Sequence, residues 1–279
     1  KALVFKAFVL LLIIPGAILF LAPFIWMVST SLKDAKYVFL FPPQIIPDPV
    51  RWSNYLRVIQ RVPFPLYGWN TIRMTLLCLL GQLLTASMVA FGFARLRFPG
   101  RDALFLLLLS TLMLPQQVTL IPTFLIYRYL GWVDTFKPLI VPDWLGGSPF
   151  TVFLLRQFIN TLPIEMDEAA KIEGCGYFGI YWRIILPLIK PALAAVAIFV
   201  FMWNWNDIFY SLIYLNSQRN WTLALGLNFL RRSSPMGPGV LEAELLMAGS
   251  VIVMTPCLLV FFFAQKYFIQ GIVFTGVKG

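Results

Sequence analysis

Six apolar stretches, each long enough to cross a lipid bilayer, leave this chain few folds to choose from. A spanning helix needs about 20 mainly apolar residues. Such stretches run over about 8–31, 69–93, 103–127, 136–158, 188–214 and 245–268 of the 279 residues. Lipid offers the backbone no hydrogen-bond partner, so segments of this kind fold as helices packed in a bundle. Composition agrees: 12% of residues are charged, against roughly 25% in an average soluble domain. The even spread of the stretches predicts an all-α membrane protein with one transmembrane domain over 1–279. The first stretch reads as a span and not as a signal peptide, because its apolar run is too long and no small-residue cleavage site follows. The fourth is interrupted by Pro138, Pro142, Gly146, Gly147 and Pro149. Broken helix of that kind survives where neighbouring helices satisfy the freed backbone groups, which places it inside the bundle.

Several chemistries are disfavoured. The chain has no histidine, which removes the commonest metal ligand and general base. Its three cysteines, Cys78, Cys175 and Cys257, are scattered and suggest neither a disulfide framework nor a metal site. A phosphate-binding loop needs Gly-x4-Gly-Lys-Ser/Thr. The nearest approach, from Gly271 to Gly276, Val277 and Lys278, puts valine where lysine must sit. No ATP, magnesium or other cofactor is expected on this chain, and no nucleic-acid partner.

The Lys and Arg count that normally orients a membrane protein is a tie here, eleven on each side of the six-span topology. Arg95, Arg97 and Arg101 crowd one very short loop, which favours both termini on the cytoplasmic side. The external face then carries a surplus of about five positive charges, among them Arg73, Arg128, Arg231 and Arg232. One external loop covers about 33–67 and another about 216–244. In the first, Trp52, Tyr55, Leu56 and Ile59 follow Ser53 at helical spacing, as in a short amphipathic helix lying in the membrane interface.

The most hydrophilic stretch, about 159–187, has fixed spacing: Glu168-Ala169-Ala170, three residues, Gly174, nine residues, then Ile184-Ile185-Leu186-Pro187. Thr161 to Glu173 reads as a short helix. Pro163 suits its first turn, Glu165, Asp167 and Glu168 sit at the positive end of its dipole, and Gly174 can end it in a left-handed cap. The spacing resembles the cytoplasmic coupling loop, the EAA loop, of permease subunits in binding-protein-dependent ABC importers. Further segments extend the resemblance. They are Phe91-Gly-Phe-Ala-Arg-Leu-Arg-Phe-Pro-Gly100, Met113-Leu-Pro-Gln-Gln-Val-Thr-Leu-Ile-Pro122, Leu154-Leu-Arg-Gln-Phe158, Trp203-Asn-Trp-Asn-Asp207 and Gly276-Val-Lys-Gly279. These are similar to the maltose-type, carbohydrate-uptake branch. The resemblance implies a type I importer permease in the bacterial inner membrane. Its partners would be a second, non-identical permease, two ATP-binding subunits and an extracytoplasmic solute-binding protein that delivers a saccharide. It assigns ATPase coupling to Glu168, Ala169, Ala170, Gly174, Leu186 and Pro187. The sequence departs from the family pattern at Asp143-Trp144-Leu-Gly-Gly-Ser-Pro149 and in the long basic loop before the sixth span, where cargo or binding protein would be met.

Trp203, Asn204, Asn206 and Asp207 are candidates for the transport pathway. A mid-span carboxylate is costly and faces a cavity or a partner, and aromatic faces beside amides suit a sugar. The competing reading is interhelical hydrogen bonding. Gln116 and Gln117, after Pro115, read similarly, and Asn70 reads as an interface anchor. Three functions are compared: a sugar-importer subunit, a permease of the same architecture for another solute such as a phosphate ester, and an intramembrane enzyme. The last would need paired ionisable groups at one depth, and Asp207 is the only clear mid-span acid. The external charge raises a narrower expectation, an acidic, uronate-type oligosaccharide as cargo; docking of the binding protein or of anionic lipid would use the same charge.

Overall fold

The computed structural model describes residues 2–231 and 242–276. Lys1, residues 232–241 (Arg232 among them) and Val277, Lys278 and Gly279 lie outside the described residues. Among the described residues every regular element is helical. In chain order the helices are α1 (Ala2–Ser31), α2 (Ser53–Arg61), α3 (Phe64–Arg95), α4 (Arg101–Ser110), α5 (Gln116–Tyr129), α6 (Pro149–Asn160), α7 (Glu165–Ile172), α8 (Lys190–Trp205), α9 (Phe209–Tyr214), α10 (Leu223–Leu230) and α11 (Ala243–Gly276), with short helical turns between them.

Val9–Ser31, Phe64–Arg95, Lys137–Asn160 and Ala243–Gln265 are long and apolar enough to cross a membrane. Two bent pairs, Arg101–Met113 with Gln116–Tyr129 and Tyr177–Leu188 with Lys190–Trp205, bring the number to six if each is one span. The third span, expected to run unbroken over 103–127, bends by 100° instead. Pro115 explains it: Leu114 and Pro115 leave the helical region, with ψ near 121° and 131°, because a proline lacks an N–H and pushes its predecessor into extended backbone. The fifth span, expected over 188–214, begins at Lys190, stops at Trp205 and restarts at Phe209. The helix expected from Thr161 starts four residues later, at Glu165.

The chain divides into two compact units, 1–66 with 223–256, and 67–222 with 257–279. In the first, Asn54 is buried and donates through Nδ2 to the carbonyls of Ser31 (3.0 Å) and Lys33 (2.7 Å). It thereby satisfies carbonyls that the end of α1 leaves open. The Ser31 and Tyr55 hydroxyls meet at 2.8 Å. α2 therefore caps α1, while Trp52, Leu56 and Ile59 stay exposed as an interfacial helix requires. Its arginines face acids: Arg61 pairs with Glu242 at 3.5 Å and Arg57 approaches Glu244 at 4.0 Å. Along α1 the apolar surface is bare, with Leu19 and Phe20 more than 70% exposed, the condition of a helix facing lipid or a partner subunit.

In the second unit α3 is the spine. Its side chains supply what the proline- and glycine-broken fourth span lacks. Cys78 lies 3.3 Å from the Leu139 carbonyl, and Thr85 donates to the Asp143 carbonyl at 3.0 Å. Gln82 donates to the hydroxyls of Ser148 (2.9 Å) and Thr151 (2.7 Å), and Trp144 returns a bond to the Leu77 carbonyl at 3.1 Å. Gly147 lets the two chains approach: its φ is +70°, and a Cβ there would lie 2.6 Å from that of Ala86. The broken span is held against α3, as the placing of its prolines predicts.

Candidate functional site: the segment 165–187 and a cationic cleft

The segment 165–187 projects a helix from a buried footing. Ile164 precedes α7, whose first turn carries Glu165, Asp167 and Glu168. At its other end Gly174 adopts φ +81°. The Gly174 N–H bonds the Lys171 carbonyl at 3.0 Å and the Cys175 N–H bonds that of Ala170 at 2.9 Å, the paired closure of a Schellman cap. Ala170 is buried, while Glu168 and Ala169 face outward. Leu186 is half-buried and Pro187 exposed, at the base of the next span. Sequence reasoning missed the apolar surface beside them: Ile172, Phe178 and Trp182 are all more than half exposed, with the Phe178 and Trp182 rings stacked 6.2 Å apart. Aromatic residues in a polar loop were the available signal.

Beneath this surface lies an ion pair that the sequence did not reveal. Arg95, the last residue of α3, sits with Nε 3.0 Å from Asp167 Oδ2, and both side chains are more than 90% buried. Arg95 also donates to the Leu162 carbonyl at 2.8 Å. Burial pushes the Asp167 carboxyl above the ordinary carboxylate range, while Arg95 and Lys171 pull it back. Removing one member of such a pair costs roughly 3–5 kcal/mol, because the other charge is left buried and alone. A second tie joins the buried Tyr181 hydroxyl to that of Ser87 on α3 at 2.8 Å.

The candidate pathway residues come together only in part. Trp203 is exposed and Trp205 buried. Asn204 and Asn206 turn inward on their own helix, donating to the carbonyls of Val200 (2.9 Å) and Met202 (2.8 Å). Asp207 accepts from the backbone N–H of Tyr210 (3.1 Å) and Ser211 (2.8 Å) and from the Ser211 hydroxyl (3.0 Å), so it caps α9. Gln117 lies on a separate helix, exposed at the first turn of α5.

Two loops, one carrying Asp134 and one carrying residues 216–221, meet near the other end of α3. Asp134, with φ +62°, accepts from the N–H groups of Asn216 (3.0 Å) and Ser217 (2.8 Å), from the Ser217 hydroxyl and from Asn220 Nδ2 (3.2 Å). Burial opposes ionisation there, but these donors hold the carboxyl below its ordinary range. Asn70, an interface anchor by sequence, instead clamps a loop, donating to the carbonyls of Arg219 (2.9 Å) and Trp221 (3.0 Å). An open cleft of about 510 Å³ is lined by Arg73, Lys137 and Arg219 around this network. None of the three forms a salt bridge among the described residues, and Arg73 lies over the Phe136 ring at 5.1 Å.

Residues 82–273 match the family described as binding-protein-dependent transport system inner membrane component. The chain belongs to that family. Among relatives of this inner membrane component, the arabinooligosaccharides transport system permease protein AraQ of Bacillus subtilis is 33% identical over 94% of this chain and 92% of its own. The sn-glycerol-3-phosphate transport system permease protein UgpE of Yersinia enterocolitica is 31% identical over 94% of each. A solved bacterial ABC transporter involved in the import of the acidic polysaccharide alginate has a chain that superposes with a TM-score of 0.84. The match is 23% identical and covers 95% of this chain and 96% of that one. The fold is therefore the all-α fold of an ABC importer permease.

Proposed function

We propose that this inner membrane component is one of two non-identical permease subunits of an ATP-driven oligosaccharide importer. The observation that carries the reading is the segment 165–187: a Schellman-capped helix with Glu168 and Ala169 outward, an apolar edge at Ile172, Phe178 and Trp182, and a buried footing. A surface of that kind fits a groove on an ATP-binding partner. Two such partners would carry ATP and magnesium, and the segment with both termini would face the cytoplasm. ATP-driven closure of the partners favours the outward-facing bundle to the extent that α7 fits the closed groove better than the open one. A solute-binding protein would deliver cargo outside, consistent with the family's description. Trp203, Asn204, Asn206, Asp207 and Gln117 are proposed to border the route; the bare Trp203 ring supports a stacking role.

The cargo is proposed to be an acidic, uronate-type oligosaccharide. Two external arginines of the first unit are offset by acids, Arg51 by Asp34 at 3.2 Å and Arg61 by Glu242. Three cations without a salt bridge among the described residues, Arg73, Lys137 and Arg219, share one cleft, and an arginine fork pairs two-pronged with a planar carboxylate. A phosphate ester suits the same cations, and the name of the Yersinia relative favours keeping it as the second reading. Uptake by the reconstituted importer of a neutral pentasaccharide, a uronate pentasaccharide and sn-glycerol 3-phosphate separates the three. Uronate uptake at least tenfold above the others is expected. Uptake of the neutral sugar alone would eliminate the acidic cargo.

A further inference from the structure

In sequence, 165–187 leads directly into the fifth span, and a push on α7 would be expected to travel that way. The described structure interrupts that route. Tyr177–Leu188 and Lys190–Trp205 meet at 75°, with Pro187 and Pro191 on either side of the break. A proline leaves a helix without one of its hydrogen bonds, so the joint is poorly suited to carrying a load.

The polar side-chain tethers of the segment end on α3. Arg95 Nε holds Asp167 at 3.0 Å and Arg95 Nη2 holds the Leu162 carbonyl at 2.8 Å. Two helical turns back, Ser87 meets the buried Tyr181 hydroxyl at 2.8 Å. A buried ion pair adds little net stability and is costly to break, which makes it a poor stabiliser and a good rivet. Near the other end of the same helix, Asn70 grips the Arg219 and Trp221 carbonyls. The loop it grips carries Ser217 and Asn220, which fix Asp134. Asn70 and Arg95 are separated by roughly 38 Å of continuous helix at about 1.5 Å per residue.

We infer that α3 is the transmission rod of this subunit: Arg95 and Ser87 fasten it to the coupling segment and Asn70 fastens it to the external loop, so that ATP-driven movement of α7 reaches the outside along α3 and not through the fifth span. Arg95, Ser87 and Asn70 are positioning residues in this scheme. The inference rests on the proposed docking of 165–187 to the ATP-binding subunits.

The test uses the complete importer in proteoliposomes, with its binding protein purified together with the ligand it retains. Basal ATP hydrolysis, stimulation by the loaded binding protein and the yield of assembled complex are measured together. Arg95→Asp and Asp167→Arg should each cut stimulation about tenfold with basal hydrolysis retained, and the double swap should restore at least half of it. Tyr181→Phe removes one hydroxyl and Asn70→Ala one amide; each should cut stimulation about threefold. These two mild variants decide the matter if the charge variants do not assemble. Full stimulation in both, or an assembled double swap that regains nothing, overturns the rod. Glu168→Lys is measured alongside. If it abolishes stimulation while Tyr181→Phe and Asn70→Ala keep it, docking stands and the rod falls; if it too is without effect, the docking itself is refuted.

Discussion

Two polar segments of the second unit, 165–187 and 203–207, use their hydrogen bonds in opposite directions. In the first, charged and hydroxyl groups reach across to α3, through Asp167 to Arg95 and Tyr181 to Ser87, and the outward face is left bare. In the second, Asn204, Asn206 and Asp207 bond mainly their own chain within four residues, with one long contact outward, from Asn206 Nδ2 to Cys257 Sγ at 3.9 Å. The first arrangement leaves a firm surface, the one proposed to meet an ATP-binding partner. The second ends one helix and begins another inside a span, where an unsatisfied backbone group would be expensive, and so shapes a break beside which Trp203 stands open.

The comparison is broken most severely at Gly174. Gly174→Val forces a β-branched side chain onto φ +81°, at a cost of roughly 1–2 kcal/mol, and should distort the cap while leaving insertion intact. Binding-protein-stimulated ATP hydrolysis in vesicles should fall at least tenfold. Wild-type stimulation would mean that the cap does not shape a docking surface. Glu168→Lys, which leaves the backbone alone and reverses one exposed charge, should have a similar effect on stimulation.

Asp207→Ala sharpens the other half. Loss of a cap costs about 1 kcal/mol, so α9 should fray and transport should drop severalfold while the complex stays assembled in detergent. Asn204→Ala, which frees one carbonyl on α8, should do less. Separation of the two permeases in either variant would show that these groups join helices after all.

Much of this was legible in the residues. Apolar run lengths located the first, second, fourth and sixth spans, Gly174 announced a left-handed cap, and the prolines of the fourth span foretold its dependence on neighbours. Pro115 was visible too, but a proline in a span permits either a kink or a full break, and only packing chose the 100° bend. The stop at Trp205 was hidden because asparagine and aspartate in an apolar stretch look alike whether they face a cargo or their own backbone. The Arg95–Asp167 pair was beyond reach: its members lie 72 positions apart, and each alone reads as an ordinary loop charge. Asp134 was missed because its four donors come from a loop some 80 residues later.

A smaller effect is expected at Asp134, whose ionised form is the one held by the fold. Its depressed pKa means that the stabilisation is present above the ordinary aspartate range, near 3.9, and is lost as pH falls through the still lower folded value. Amide exchange of residues 215–222 should then show no step attributable to Asp134 between about pH 5 and 8, since both states are ionised there. Asp134→Asn should speed exchange in that loop severalfold at neutral pH. Unchanged exchange in the variant would show that the loop is held by other contacts.

The most direct test of the coupling account is a photocrosslink. A photoreactive residue at Ala169, exposed on α7, should join this chain to an ATP-binding subunit in the assembled importer, and one at Trp52, exposed before α2, should not. A crosslink to the ATP-binding subunit from position 52 and none from position 169 would contradict both the docking surface and the orientation proposed for the chain.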